Sequence, residues 1–143
     1  MMVSTRGRYA LRFMIDLAEH NTGEYITLKD ITDRQDMSEK YLESISKTLS
    51  QAGLIDGHRG KGGGYRLNRP ADKYTVEEIL ELTDGTLSPV QCLATDVNTC
   101  PRASECQTLP LWTNLEKVIR DYLGSVKLSD LIKVDGAGDN YSI

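Results

Sequence analysis

The sequence predicts a mainly α-helical fold: a winged helix-turn-helix domain with a β-hairpin wing, plus a long C-terminal dimerisation helix. Two short amphipathic helical segments, separated by a tight turn, occupy residues 27–51. A glycine-rich basic segment between apolar flanks follows at residues 54–67, which is the pattern of a β-hairpin placed as a wing. A longer amphipathic segment begins near residue 110, and its full apolar face requires a partner.

The first three helices are predicted from apolar spacing and from capping residues. Apolar side chains at three- and four-residue spacing predict the first helix over residues 8–20. Thr27 opens the second helix, with Asp30 as an acidic partner for the amides of its first turn. Ser38 is a good N-cap for the third helix, and Gly53 lies where a helix C-terminus favours a residue that tolerates positive φ.

The remaining elements follow from turn chemistry and periodicity. Residues 57–64 form the glycine-dense tip of the hairpin. Residues 75–78 are a capping box that opens a fourth helix, and Pro110 is favourable near the start of the fifth. The stretch between these two helices is expected to be a loop that contains every cysteine.

These elements divide the chain of 143 residues into four segments. Residues 1–84 are predicted to form the winged helix-turn-helix domain, and residues 85–108 a cysteine-containing sensor loop. Residues 109–134 would supply the dimerisation helix and a short terminal helix. Residues 135–143 form a polar, glycine-containing tail that we expect to be flexible.

The charge distribution favours a local nucleic-acid surface on an acidic body. The formal net charge is −4, but residues 1–73 hold 12 Lys and Arg against 10 Asp and Glu, whereas residues 74–143 hold 5 against 11. DNA affinity depends on local cations that meet phosphates, not on the global charge. Four cations and no acid lie between positions 57 and 71, namely Arg59, Lys61, Arg66 and Arg69.

Binding to double-stranded DNA is therefore the predicted function, with the third helix in the major groove and the wing in the minor groove. Glu43 could accept a hydrogen bond from a cytosine amino group, and Lys40 could meet guanine or phosphate. A nucleotide-phosphate loop at the wing is disfavoured, because the Gly-Lys-Ser/Thr pattern and a strand–loop–helix setting are missing. The candidate DNA-binding residues are Ser38, Lys40, Tyr41, Glu43, Ser44, Arg59 and Lys61.

Other classes of protein are disfavoured by the sequence. The apolar runs are too short to span a bilayer, and the N-terminus lacks a secretory pattern, so a cytoplasmic location without membrane contact is expected. A thiol or metal enzyme would need a set of Cys, His and an acid at a credible spacing. The only histidines, His20 and His58, lie in the proposed DNA-binding half, so the chain is not expected to be an enzyme.

Five motifs make the chain resemble the Rrf2 family of bacterial transcription regulators. They are Arg-Gly-Arg-Tyr-Ala-Leu-Arg at residues 6–12, Tyr-Leu-Glu at 41–43, Arg-Gly-Lys-Gly-Gly-Gly-Tyr at 59–65, Leu-Trp at 111–112 and Val-Lys-Leu-Ser-Asp-Leu at 126–131. The resemblance implies a winged-helix homodimer with crossed C-terminal helices. A symmetric dimer would read a palindromic operator, and it would repress or activate the promoter, with repression as the favoured direction. It implies that Glu43 sets specificity and that Arg59 contacts the minor groove.

The resemblance also implies a signal, because family members regulate iron–sulfur assembly, nitric-oxide stress and cysteine metabolism. Cluster-binding members carry three cysteines in this loop with five residues between neighbours. Here seven residues separate Cys92 from Cys100, and five separate Cys100 from Cys106. The three are candidate ligands of a 2Fe–2S or 4Fe–4S cluster, since thiolates on a loop can wrap such a group.

Several alternatives for these cysteines stay open. The positions of the fourth ligand in cluster-binding relatives are occupied here by Leu109 and Arg8, so a cluster would need an exogenous ligand or one of Asp96, Glu105 and Gln107. A redox-active thiol loop is a second interpretation, with Arg102 lowering a neighbouring thiol pKa. Packing without chemistry is the third.

The chain end carries a further prediction. It closes with Gly-Asp-Asn-Tyr-Ser-Ile, and capture of a terminal carboxylate with one apolar side chain is a recurring mode of peptide recognition. The resemblance to cysteine-metabolism regulators implies cysteine synthase as a partner that would bind Ile143, giving control without a cluster. An ordinary frayed terminus is the alternative interpretation.

Overall fold

A computed structural model describes residues 3–132 of the chain. Its helices and strands, in chain order, are α1 (Thr5–Glu19), α2 (Leu28–Gln35), α3 (Glu39–Gln51), β1 (Ile55–His58), β2 (Gly64–Leu67), α4 (Val76–Asp84) and α5 (Leu109–Ser125). Single turns of 3-10 helix also occur at Ala71–Lys73, Gln91–Leu93, Ala103–Glu105 and Leu128–Leu131. The predicted fold class, a mainly helical winged helix-turn-helix with a long C-terminal helix, is confirmed.

Side-chain caps fix where the helices begin. The hydroxyls of Thr27, Ser38 and Thr75 accept hydrogen bonds from the amides three residues on, as the sequence predicts. The first helix begins three residues earlier than expected, because Ser4 caps it by accepting from the amide of Gly7. The Ser4 hydroxyl and amide also bond to the Asp84 carboxylate at the end of α4.

The hairpin is antiparallel and is tied to the segment before α2. Ile55 pairs with Leu67 at its base and His58 with Gly64 near its tip. A third chain segment joins at Ile26, whose backbone exchanges two hydrogen bonds of 2.8 Å with Tyr65. This additional pairing fixes the direction in which the hairpin leaves the helical body.

One core lies between α1, α2, α3 and the hairpin. Its fully buried members include Phe13 on α1, Ile31 on α2, and Ile45 and Leu49 on α3. The C-terminal part joins it through Leu128, which is also fully buried. A smaller cluster packs α4 on α5 and contains Val76, Leu80 and Leu87, with partly buried Ile119 and Leu123 on α5.

The long helix α5 is only partly covered. It spans 17 residues and has none that is fully buried. Arg120 joins it to α4 through ion pairs with Glu81 at 3.3 Å and Glu77 at 3.8 Å. Within residues 3–132, none of the helices has both the length and the apolar character needed to cross a membrane.

The segment between α4 and α5 is irregular except for two single turns of helix. Its start is anchored by the nearly buried Ser88, whose hydroxyl lies 2.8 Å from the Glu116 carboxylate on α5 and 2.8 Å from the Leu93 carbonyl. The predictions for the tail, including the role of Ile143, lie outside the described residues.

Candidate nucleic-acid interface and cysteine loop

The third helix and the wing face each other across an open groove of about 930 Å³. One wall is the side of α3 that carries Glu39, Glu43 and Lys47. The opposite wall is the hairpin, from Gly57 to Tyr65, and the N-terminus of α2 closes one end. The winged helix-turn-helix arrangement predicted from the sequence therefore presents helix and hairpin on one side of the molecule.

The residues predicted on α3 divide into exposed and packed side chains. Ser38, Lys40, Glu43 and Ser44 are all exposed. The Ser38 hydroxyl is used as the helix cap, accepting from the Tyr41 amide at 3.4 Å. Tyr41 is half-buried, and its ring meets that of Tyr9 edge-on with centroids 5.5 Å apart. Tyr41 therefore contributes mainly to the packing of α3 on α1.

The four cations of the wing region have different surroundings. Arg66 donates to the Gly23 carbonyl at 2.8 Å and lies over the Tyr25 ring, while Arg69 forms an ion pair with Glu78 at 2.9 Å. Among residues 3–132, no hydrogen bond or ion pair engages the side chain of Arg59 or Lys61. Both are exposed at the tip, where their charge is available to phosphates.

Two cations of the groove were missed by the sequence analysis. Lys47 lies on the same side of α3 as Glu43, one turn further on, and Lys29 lies in the first turn of α2. The spacing of four residues from Glu43 could have identified Lys47. No periodic signal identifies Lys29, because its position depends on how α2 packs beside the hairpin.

Comparisons with known proteins agree with this architecture. The Rrf2 family profile, described as an iron-dependent transcriptional regulator, matches residues 3–134. The chain belongs to the Rrf2 family. The HTH-type transcriptional regulator IscR of Xenorhabdus nematophila is 35% identical over 133 residues, which are 93% of this chain and 80% of that protein.

Two solved structures of similar sequence share the fold. CymR (YrzC), the global cysteine regulator of B. subtilis, is 33% identical with a TM-score of 0.73, over 92% of this chain and 95% of that one. The IscR of T. potens is also 33% identical, with a TM-score of 0.70, over 92% and 85% of the two chains. This Rrf2 protein is thus a DNA-binding transcriptional regulator with a winged helix fold.

The three cysteines of this Rrf2 protein are partly exposed and lie at different points of the loop. Cys92 is in the first short turn of helix, Cys100 precedes the second, and Cys106 ends it. A hydrogen bond with the Thr108 hydroxyl, with Sγ and Oγ1 3.5 Å apart, lowers the pKa of the Cys106 thiol. The Thr108 and Leu109 amides and the charge of Arg102 lower the pKa further.

A metal ion or an iron–sulfur cluster at the cysteines would need several ligand side chains that converge on one point. Within residues 3–132, no three side chains from His, Cys, Asp and Glu lie close enough together to hold a metal ion. In the described arrangement the three thiols therefore do not fit an iron–sulfur cluster, whose irons need four converging ligands.

Proposed function

We propose that this Rrf2 regulator is a homodimer that represses transcription by binding a palindromic operator. Each subunit would place α3 in the major groove and the hairpin tip in the adjacent minor groove. The observation that carries the proposal is the groove itself, because the exposed face of α3 and the hairpin cation Arg59 border it from opposite sides, and Lys61 is exposed beside Arg59 at the hairpin tip. We do not expect a catalytic site in such a groove, and we propose that the protein is not an enzyme.

The proposed dimer is supported by the uncovered face of α5. Its exposed apolar side chains are Leu111, Leu115, Val118 and Tyr122, with exposed fractions from 38% for Leu115 to 66% for Tyr122. Their spacing of four, three and four residues places them on one side of the helix. A second copy that offers the same face would cover them, and its two-fold symmetry would match two operator half-sites.

The roles proposed for individual residues follow from their positions. The ionised carboxylate of Glu43 accepts hydrogen bonds and donates none, so it would select a cytosine amino group in the major groove. Lys40 and Ser44 are exposed on the same helix and would contact bases or phosphates, as would the exposed N-cap residue Ser38. Arg59 would enter the minor groove, where a narrow groove concentrates negative potential.

The experiment that tests the proposal compares two single variants on an operator library. A duplex library is first selected with the wild-type protein, and binding is then measured at several salt concentrations. Glu43→Ala should relax the preference at one or two base pairs, because it removes a base contact. Lys61→Ala should weaken all duplexes alike and reduce the salt slope by about one, because it removes a phosphate contact. Equal preferences of the Glu43 variant and the wild type would overturn the assignment of the reading residues.

Residues 85–108 are proposed as the sensor segment, with iron or thiol chemistry as the signal. The iron-dependent description of the family supports an iron signal, whereas the separated thiols and the lowered pKa of Cys106 favour redox chemistry. A cluster held by Cys92, Cys100 and Cys106 would require the loop to rearrange. Anaerobic purification followed by absorbance, iron and sulfide assays decides between the two, since colourless iron-free protein that binds DNA would exclude the cluster.

Control by a partner protein is a second proposal for the signal, and it concerns the chain end. The solved relative CymR is described as a cysteine regulator, which supports a link with cysteine metabolism. Cysteine synthase would bind the terminal residue Ile143 through its carboxylate and side chain. A pull-down with the full chain and with Ile143 deleted should retain the enzyme only with the full chain.

A further inference from the structure

Arg6 connects the first helix to the middle of the third. Its Nη1 donates to the Ser44 hydroxyl at 3.1 Å, and its Nη2 donates to the Thr48 hydroxyl at 2.7 Å. The same Nη2 lies 3.4 Å from the Ser44 carbonyl oxygen. The Thr48 hydroxyl in turn donates to that carbonyl at 3.2 Å. One guanidinium therefore holds two residues that are one helical turn apart on α3.

This contact constrains the rotation of α3 about its axis. A guanidinium is planar and its donors are fixed relative to one another, so two acceptors on successive turns cannot both be kept if the helix rotates. Glu43 and Lys47, which line the groove, precede Ser44 and Thr48 by one residue each and so lie about 100° around the helix axis from them. A change in rotation would move these two side chains relative to the hairpin. The fixed rotation of α3 therefore determines which side chains reach a bound duplex.

The contact also sets the direction of one hydrogen bond. The Ser44 hydroxyl accepts from Arg6, so its own hydrogen points away from α1. Ser44 is exposed, and no acceptor within residues 3–132 takes that hydrogen. Its hydroxyl therefore keeps its hydrogen for a donor contact on the exposed side, which suits the N7 and O6 atoms of guanine or the O4 atom of thymine, although one acceptor lone pair also remains.

We propose that Arg6 is a positioning residue for sequence discrimination: it sets the rotation of α3 and orients the Ser44 hydroxyl with its hydrogen away from α1. This inference depends on the proposed function, because it needs α3 in the major groove. Direct contact of Arg6 with a phosphate is the competing role. The two roles differ in their salt dependence, since a phosphate contact releases counterions and an internal contact does not.

The experiment uses the full chain and the tightest duplex that the wild-type protein selects from a random-sequence library. The measured quantity is the ratio of its affinity to that of a scrambled duplex, at several salt concentrations. Arg6→Ala should lower this ratio about tenfold, the effect of one lost base contact, with an unchanged salt slope. Arg6→Lys keeps the charge but loses the planar fork, so it should restore little of the ratio.

Two further variants separate positioning from phosphate binding. Thr48→Val removes one acceptor of Arg6, so it should lower the ratio in the same direction, and its combination with Arg6→Ala should add nothing more. Arg8→Ala is the matched control, because Arg8 is an exposed arginine two residues further along α1 whose side chain bonds only to Thr5 among the described residues. It should leave the ratio unchanged. Melting curves check that each variant is folded.

The outcomes that overturn the inference are distinct from those that overturn the proposed function. A salt slope lower by about one in Arg6→Ala, with full rescue by Arg6→Lys, would make Arg6 a phosphate contact. A ratio equal to that of the wild type in both Arg6→Ala and Thr48→Val would remove any role for the contact. A wild-type protein that selects no duplex at all would overturn the proposed function and, with it, this inference.

Discussion

The surroundings of Cys106 distinguish it from an ordinary surface thiol. The Thr108 hydroxyl, the Thr108 and Leu109 amides and the charge of Arg102 all favour its thiolate, and they lower its pKa. Oxidants and alkylating reagents react with thiolates and not with thiols. Because the pKa is lowered, the reactive form of Cys106 is present at a lower pH than for a free cysteine.

This environment predicts a defined pH dependence of alkylation. The rate of Cys106 modification by iodoacetamide, followed by mass spectrometry of the peptide, should rise with pH through a midpoint below that of free cysteine. Thr108→Val removes the hydroxyl that makes the largest contribution, so the midpoint should move to higher pH and the rate at pH 7 should fall. Ser104→Ala, on the same exposed turn, is the control and should leave the midpoint where it was. An identical profile for Thr108→Val and wild type would refute the role of the hydroxyl.

Some features of individual site residues can be predicted from the sequence, and others cannot. The exposure of Lys40 and Glu43 follows from the helical period alone, and it was predicted. The different surroundings of the wing cations were not, because the partners of Arg66 lie far away in sequence, at Gly23 and Tyr25. The local sequence shows that this region has four cations, but it does not show which two are available to bind phosphates.

At the scale of elements, the wing depends on a close approach of two backbones. Gly64 has φ +147°, and a Cβ placed there would lie 2.2 Å from the Ile26 carbonyl oxygen. That carbonyl accepts one of the two hydrogen bonds that tie the hairpin to the helical body, from the Tyr65 amide. A side chain at position 64 would therefore break the pairing or move the whole hairpin.

Gly64→Ala should accordingly lower the free energy of unfolding by about 3 kcal/mol, through backbone strain and overpacking. It should also weaken DNA binding at temperatures where the variant is folded, because the hairpin no longer holds Arg59 beside α3. Gly62→Ala is the matched control: its φ is +76°, but a Cβ there meets nothing within 4 Å. Strain alone should cost it about 1 kcal/mol. Urea unfolding measures both, and equal losses for the two variants would contradict the close-approach argument.

The elements themselves were largely predictable because their determinants are local. The caps at Thr27, Ser38 and Thr75 involve residues only three positions apart, and all three are confirmed. The apolar period predicts a start of α1 that is three residues too late, because the period begins after the first turn and the Ser4 cap lies before it. The pairing of Ile26 with Tyr65 joins segments that are distant in sequence, so no local sequence pattern predicts it.

At the scale of the whole molecule, one side of α5 packs against α4 and the other side is exposed. Arg120 bonds to Glu116 on its own helix and to Glu81 on α4, so the contact with the body combines charge with a small apolar cluster. Ser88 reaches the same Glu116, which links the start of the cysteine loop to α5. In the proposed dimer, a change in the loop would reach α5 through this bond and would then alter the spacing of the two α3 helices.

The bare side of α5 gives the prediction that concerns the assembly. Val118 lies in the middle of the exposed apolar face and is 63% exposed in the single chain. In a symmetric dimer Val118→Lys would bring two ammonium groups into an apolar contact, and desolvation with like-charge repulsion should dissociate the subunits. Sedimentation at micromolar concentration should then report a folded monomer, and the wild type a dimer.

The same variant should lose more than tenfold in affinity for a two-half-site duplex, while it keeps the affinity of the wild type for a single half-site. The reason is that an unlinked second subunit no longer binds at the high effective concentration that the dimer provides. Lys117→Ala is the matched control, because Lys117 is the exposed neighbour that pairs only with Asp121 among the described residues. It should remain dimeric, since an exposed ion pair one turn apart contributes little. The contrary outcome is a wild-type protein that sediments as a monomer and still binds the full duplex in a single tight transition. It would show that operator binding does not require dimerisation through α5.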